Sequence, residues 1–225
     1  TLMQKLAHKI ICVSQYQRSF LGRKRGVCVI PNALPKEFTS RLHPDAEAAF
    51  GRQTVLMLSS LKEYKGTREF IELANRLPQY KFVLVINDVQ ENIDSFLYKY
   101  NIFCSQNLII YPRQNNVVPF YNEASIVINL TDKKLAVETF GLTALEAMSA
   151  GLPVIVPTEG GIAEMVTDGE NGYKIDVQDL NKIVEYIHLL LSDQELYNKL
   201  SNNASAYSRN FNIDKMTESI LSLFD

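Results

Sequence analysis

Short runs of nearly uninterrupted Val, Ile and Leu recur through the middle of the chain, at Thr54–Leu58, Lys81–Ile86, Leu108–Tyr111, Ser125–Leu130 and Pro153–Pro157. A run with no polar alternation reads as a strand covered on both faces, as in a parallel sheet. Between the runs, apolar residues recur at helical spacing over Gly66–Leu77, Gln90–Tyr100, Val117–Ala124 and Leu142–Ala150. In the first of these, Phe70, Ile71, Ala74 and Leu77 fall on one stripe, the face a helix would lay on a sheet. This alternation predicts right-handed βαβ units, and so an α/β protein with a doubly wound parallel sheet.

The ends carry a different pattern. Ile10–Val13 is another strand-sized run, followed by Ser14-x-x-Gln17, a capping box that starts a helix. Val27–Ile30 reads as a strand running into Pro31-Asn32. From Val177 onward the pattern is all helical: Gln178–Leu191, a helix capped by Asp193 and reaching about Ser208, then Ile213–Leu223. No linker, repeat or low-complexity tract interrupts the chain. One principal domain is expected, with its first thirty residues and its last helix directed at something outside it.

Composition narrows the function. The 23 basic and 25 acidic side chains give a net charge of −2, which leaves no global basic footprint for nucleic acid. No apolar run approaches the ~18 residues of a membrane-spanning helix. Cys12, Cys28 and Cys104 are odd in number and without a Cys-x-x-Cys pair, a usage that suits thiols in a reducing compartment and points to a cytoplasmic protein. The chain opens Thr1-Leu2-Met3 with no signal-peptide pattern and is expected to be part of something longer.

The candidate chemistry lies in Val137–Met148. There the strand Ser125–Leu130 passes through a polar loop to Glu138, and Gly141 then opens a helix carrying Glu146. Ligands of open α/β sheets bind at the carboxyl ends of strands, and a helix start behind glycine offers bare N–H groups and a positive dipole end to an anion. The residues allow a plainer account as well. Thr143-x-x-Glu146 is itself a capping box, Glu138 fits a solvated loop acid, Gly160-Gly161 fits a simple β–α turn, and Asp168–Gly172 reads as a structural turn.

The full string Val137–Lys174 resembles the signature of retaining glycosyltransferases of the GT-B fold, family 4, also described as glycosyl transferases group 1. The resemblance takes in the Glu-x-Phe-Gly turn, Glu-Ala-Met on the helix, Gly-Leu-Pro-Val, Gly160-Gly161 with Glu164, and Asp168-Gly-Glu-Asn-Gly172. Upstream, Val29–Ala33 is similar to the family's interdomain Ile-Pro-Asn-Gly segment, and Leu61–Gly66 to its Leu-x-x-x-Lys-Gly loop. The resemblance implies the Rossmann-like C-terminal half of a GT-B fold with an all-helical C-terminal segment. It implies that residues 1–30 are the tail of an acceptor domain plus a connection, and that 31–225 bind the donor, a nucleotide-diphosphate sugar.

Residue by residue, the resemblance implies that Glu146 takes the donor's ribose hydroxyls and Glu138 reaches the sugar. Phe140, Gly141, Leu142 and Thr143 would present N–H groups to the diphosphate, and Lys65 would stabilise charge on the leaving phosphates. Ser60 and Gly66 belong to the donor-side loop, Gly161 to the phosphate and sugar rim, and Arg113 to the segment that holds the base. Ser60 stands where the family usually has Arg, and Lys62, Lys133, Lys134 and Arg113 are the candidate replacements for that charge. With no Asp-x-Asp for a divalent ion, metal-independent transfer with retention is expected and no cofactor. The acceptor is expected to be a saccharide or lipid-linked, met through an N-terminal domain, with peripheral association at the inner membrane face. The alternative is a non-catalytic nucleotide- or sugar-binding module of the same fold.

Overall fold

The structure, a computed structural model, describes residues 7–22 and 26–224. The opening Thr1-Leu2-Met3, the first residues of the expected 1–30 segment, and Asp225 lie outside the described residues. Six parallel strands make the central sheet: β3 (Thr54–Ser59), β4 (Lys81–Ile86), β5 (Leu108–Tyr111), β6 (Ile126–Ile128), β7 (Val154–Val156) and β8 (Gly172–Lys174). Their order is β5-β4-β3-β6-β7-β8, with Val55 opposite Phe82 on one side of β3 and opposite Ile126 on the other. The chain therefore winds outward from β3 in one direction, returns, and winds outward from β6 in the other. That reversal leaves a crevice at the carboxyl ends of β3 and β6, where doubly wound sheets bind ligands. The predicted fold class is the observed one.

The sheet is buried on both faces because helices cover both. α4 (Thr67–Arg76) lays Phe70, Ile71, Leu73 and Ala74 into the core, and Phe70 meets Phe82 of β4 edge-on at 5.4 Å between ring centroids. Two further helices on the sheet are α5 (Gln90–Lys99) and α6 (Val118–Asn122). α7 (Leu142–Ser149) buries Ala144, Leu145, Ala147 and Met148. The helical C-terminal segment follows: α9 (Leu180–Ser192) with cap Asp179, α10 (Gln194–Ser208) with cap Asp193, and α11 (Ile213–Leu221) with cap Asn212. α10 packs on α7 and on α3 (Ala46–Arg52). At the end of the sheet away from the crevice, the Tyr197 hydroxyl donates to the Ser125 carbonyl at 2.6 Å. Ser125 in turn joins the starts of β3 and β6, accepting from the Thr54 N–H at 2.9 Å.

Several elements went unpredicted: α2 (Lys36–Thr39), α3, and strand β8 just past the Asp168–Gly172 turn. Each is short, from 3 to 7 residues, too brief for periodicity to register. Among the described residues, the first two strands and the helix between them form a separate unit. β1 (Ile10–Cys12) pairs in parallel with β2 (Val27–Val29), and α1 (Gln15–Ser19) lies between them in sequence. The Ser14 hydroxyl accepts from the Gln17 N–H at 3.0 Å. Gln17 reaches back to the N–H of Val13 at 2.8 Å, one residue earlier than a capping box prescribes. The unit is held to the larger domain by Glu164 of α8 (Gly161–Glu164), whose carboxylate accepts from the Gln15 N–H at 3.0 Å and from the Tyr16 N–H.

Candidate functional site

Two adjoining cavities occupy the crevice, of about 480 and 420 Å³. Leu58 at the end of β3, Lys65 and Thr143 line both, so the two form one cleft with a shared middle. One end is walled by Val13, Gln17, Asn32, Asn129, Glu138 and Thr139. The other is walled by Ser59, Ser60, Val85, Asn87, Gln114, Val117 and Glu146.

The helix start sits at the shared middle. Gly141 is the N-cap of α7 with φ +91°, and an added Cβ would meet Ile162 side-chain atoms at 2.4–2.7 Å. Only glycine takes that backbone angle at no steric cost, and no side chain caps the first-turn N–H groups. Phe140 is buried and packs edge-on against Phe211 at 6.1 Å, anchoring the turn from behind. Leu142 is exposed at the helix start, and Thr143 faces both cavities.

The capping-box account of Thr143 and Glu146 does not hold. The helix already begins at Leu142, so Thr143 lies inside it and cannot cap. Glu146 instead accepts from the hydroxyl of Tyr121. Burial raises the Glu146 carboxyl above its ordinary range, and the Tyr121 hydrogen bond acts in the opposite direction. Burial and the neighbouring carboxylate push the Tyr121 hydroxyl well above a normal phenol, so it stays a donor. Tyr121 escaped sequence reading: a buried tyrosine needs an acceptor, but nothing local says which.

Across the cleft, Lys65 Nζ lies 2.8 Å from Glu138 Oε2, each side chain 26% exposed. Lys65 closes a 3₁₀ turn over Glu63–Lys65, and buried Gly66 follows it as the N-cap of α4, against Leu130. The Glu138 loop is held from below. The Gly161 N–H donates to the Glu138 carbonyl at 2.9 Å, and a Cβ on Gly161 would stand 1.9 Å from the Thr139 carbonyl oxygen and 2.8 Å from Ser14 Cβ. Gly161 therefore supports the loop and lines neither cavity. Lys133 pins the loop's beginning, 2.7 Å from Asp176 and 2.6 Å from the Thr158 hydroxyl. Burial opposes ionisation of Asp176, but Lys133 and the Thr158 donors outweigh it and hold the carboxyl below its usual range.

None of the four candidate replacements for a charge at Ser60 lines the cleft. Ser60 lines the cleft, and its carbonyl accepts from the Thr67 hydroxyl at 3.1 Å. Lys62, Lys133, Lys134 and Arg113 line neither cavity. Arg113 stands on the rim, its Nε donating to Asn87 Oδ1 at 2.8 Å, so it reaches the cleft through Asn87. Sequence reading missed Gln17, Asn32, Asn87, Gln114 and Asn129. For Asn129 a signal existed, as the polar residue directly after the all-apolar strand β6 at the switch point.

This fold is that of a GT-B domain. The family described as glycosyl transferases group 1 matches residues 40–207, and the chain belongs to that family. An uncharacterized glycosyltransferase of Methanocaldococcus jannaschii is 27% identical over 222 residues, covering 96% of this chain and 59% of that protein. The Anabaena protein HepE, solved with UDP-glucose, superposes with a TM-score of 0.82 at 20% identity, over 99% of this chain and 65% of its own. The C-terminal domain of LpcC, a glycosyl transferase group 1 protein of Francisella tularensis, superposes with a TM-score of 0.62 at 22% identity, over 78% of this chain and 98% of its own. The chain thus spans less than two thirds of the length of the first of these relatives. No helix among the described residues is long and apolar enough to cross a membrane.

Proposed function

We propose that the chain is the donor-binding part of a retaining, hexosyl-transferring glycosyltransferase that uses a nucleotide-diphosphate sugar and passes the sugar to a saccharide or lipid-linked acceptor. The observation that carries this reading is the order of groups along one cleft. Glu146 stands at one end, Lys65 and the α7 start in the middle, and Glu138 with Asn32 and Gln17 at the other. A carboxylate oxygen without a partner accepts from a ribose hydroxyl, so Glu146 suits the ribose. The middle suits the diphosphate, with a cation and uncapped N–H groups. In the transfer, the bond from the anomeric carbon to the β-phosphate oxygen breaks, and charge grows on that oxygen. Fixed donors there stabilise the transition state more than the ground state. Lys65 and the helix start supply those donors without a metal or cofactor. Glu138 then faces the sugar hydroxyls. The relatives solved with UDP and UDP-glucose support a nucleotide-sugar donor.

The acceptor would be bound by a preceding domain of which residues 1–30 are the tail, in a cytoplasmic enzyme working at the inner membrane face. On this reading the 225-residue chain binds donor nucleotide and transfers little or no sugar alone. That Lys65 is the one lining cation among the described residues, with Ser60 where the family usually has Arg, favours a second reading, a non-catalytic nucleotide- or sugar-binding module.

A thermal-shift panel of UDP, GDP, ADP and dTDP tests the first claim. Saturation at a hundred times the dissociation constant adds ~2.7 kcal/mol, which for a chain of this size raises Tm by about 5–10 °C. One nucleotide is expected to shift the melt and lose most of its effect in Lys65→Ala. Four flat responses overturn the donor reading. In the longer protein, transfer abolished by Glu138→Ala supports the enzyme, whereas no transfer by the wild type with any donor supports the module.

A further inference from the structure

We propose that Tyr121 is a positioning residue for Glu146, its buried hydroxyl holding Oε2 of the carboxylate so that Oε1 is presented to a ribose 2′-hydroxyl. The proposal rests on the donor-site reading above and extends it to a residue that lines neither cavity. Tyr121 is fully buried on α6, and its ring packs edge-on against Phe38 at 5.9 Å between centroids. A ring so confined cannot swing its hydroxyl elsewhere, and the hydroxyl donates to Glu146 Oε2. Among the described residues Oε1 has no hydrogen-bond partner, and Glu146 lines the cleft. A freely rotating glutamate would lose side-chain entropy on fixing both oxygens to a diol. A glutamate already pinned through one oxygen has lost it in advance, and its free oxygen keeps one direction.

The bland account is that any buried tyrosine needs an acceptor and Glu146 happens to be near. The molecule contains a control for it. Tyr197 is equally buried, and its hydroxyl donates to the Ser125 carbonyl at 2.6 Å, at the end of the sheet away from the cleft. Removing either hydroxyl lowers stability, but only the loss at Tyr121 should alter how the cleft reads a sugar.

The test compares UDP with 2′-deoxy-UDP, and GDP with 2′-deoxy-GDP, by calorimetry on the 225-residue chain, for wild type, Tyr121→Phe, Tyr197→Phe and Glu146→Ala. Phenylalanine keeps the ring, and melts of each variant report folding. The wild type is expected to prefer the ribonucleotide about tenfold, the size of one charge-assisted hydrogen bond. Tyr121→Phe is expected to cut that preference by about three- to fivefold, Glu146→Ala to bring it near one, and Tyr197→Phe to leave it unchanged while lowering Tm. A preference lost in Glu146→Ala but intact in Tyr121→Phe overturns the positioning role alone, as does an equal loss in Tyr197→Phe. A preference that survives Glu146→Ala, or no binding of either ribonucleotide to the wild type, overturns the donor-site reading and the proposal with it.

Discussion

At the middle of the cleft, Lys65 and Glu138 neutralise each other across 2.8 Å, with a quarter of each side chain exposed. A partly solvated pair of this kind contributes at most about 1 kcal/mol, so a phosphate oxygen can displace the carboxylate at Lys65 with little loss. On the proposed reading, the same geometry makes Glu138 compete with the diphosphate for Lys65, the one cation that lines the cleft among the described residues. Glu138→Gln is therefore expected to bind UDP about two- to fivefold tighter, the affinity equivalent of such a pair. In the longer protein the same change is expected to lower sugar transfer. Titration calorimetry with UDP, followed by a transfer assay, checks both directions. Unchanged or weaker UDP binding would show that Glu138 and the diphosphate do not share Lys65. How much of this was legible follows residue type. Glu138, Gly141 and Glu146 stand in the Val137–Lys174 string and Lys65 in the Leu61–Gly66 loop, the two segments that the family resemblance marks out. Tyr121 and Arg113 meet the cleft only through a neighbour far away in sequence, Glu146 and Asn87, and a local string carries no trace of a partner.

At the scale of elements, the Glu138 loop is a hinge-free staple. Its start is tied through Lys133 to the segments after β7 and β8, and its end rests on the Gly161 N–H. Gly160-Gly161 is thus a packing turn placed under the loop, because a side chain at either position would strike the backbone of residues 138–139. The resemblance placed Gly161 on the rim. Its alternative, the simple β–α turn, is nearer to what the packing shows. The Lys133–Asp176 tie has a pH dependence of fixed sign. Asp176 is held below the ordinary carboxylate range, so its stabilisation is complete above the unfolded value, near pH 4, and is lost as pH falls through the lower folded value. Asp176→Asn removes it at every pH. Melts of the two proteins from pH 7 to pH 2.5 are expected to differ by a constant amount down to about pH 4 and to converge below. A gap that widens in acid would reverse the sign assigned to Asp176. Strand boundaries show the usual limit of pattern reading. The run Ser125–Leu130 contains a strand of three residues, since apolar character marks burial rather than pairing, and Leu130 is buried outside the strand.

For the whole molecule, the alternating texture made the doubly wound parallel sheet legible, although strand β8 was too short to register. The placement of the first unit did not follow from any rule. β1, α1 and β2 stand apart from the six-stranded sheet, yet Glu164 holds the α1 N-terminus, and Val13, Gln17 and Asn32 complete the Glu138 end of the cleft. On the proposed reading, the sugar-facing half of the cleft is therefore built from two units and the nucleoside half from one. Hydrogen exchange separates these halves. UDP alone is expected to slow exchange at residues 58–67 and 140–146. A nucleotide-diphosphate sugar carrying the base that shifts the melt is expected to add protection at 13–17 and 32–34, because only the sugar reaches groups contributed by the first unit and by Asn32 just after it. Protection confined to the first set with both ligands would mean that the sugar points elsewhere and that Gln17 and Asn32 line a cavity the donor does not fill.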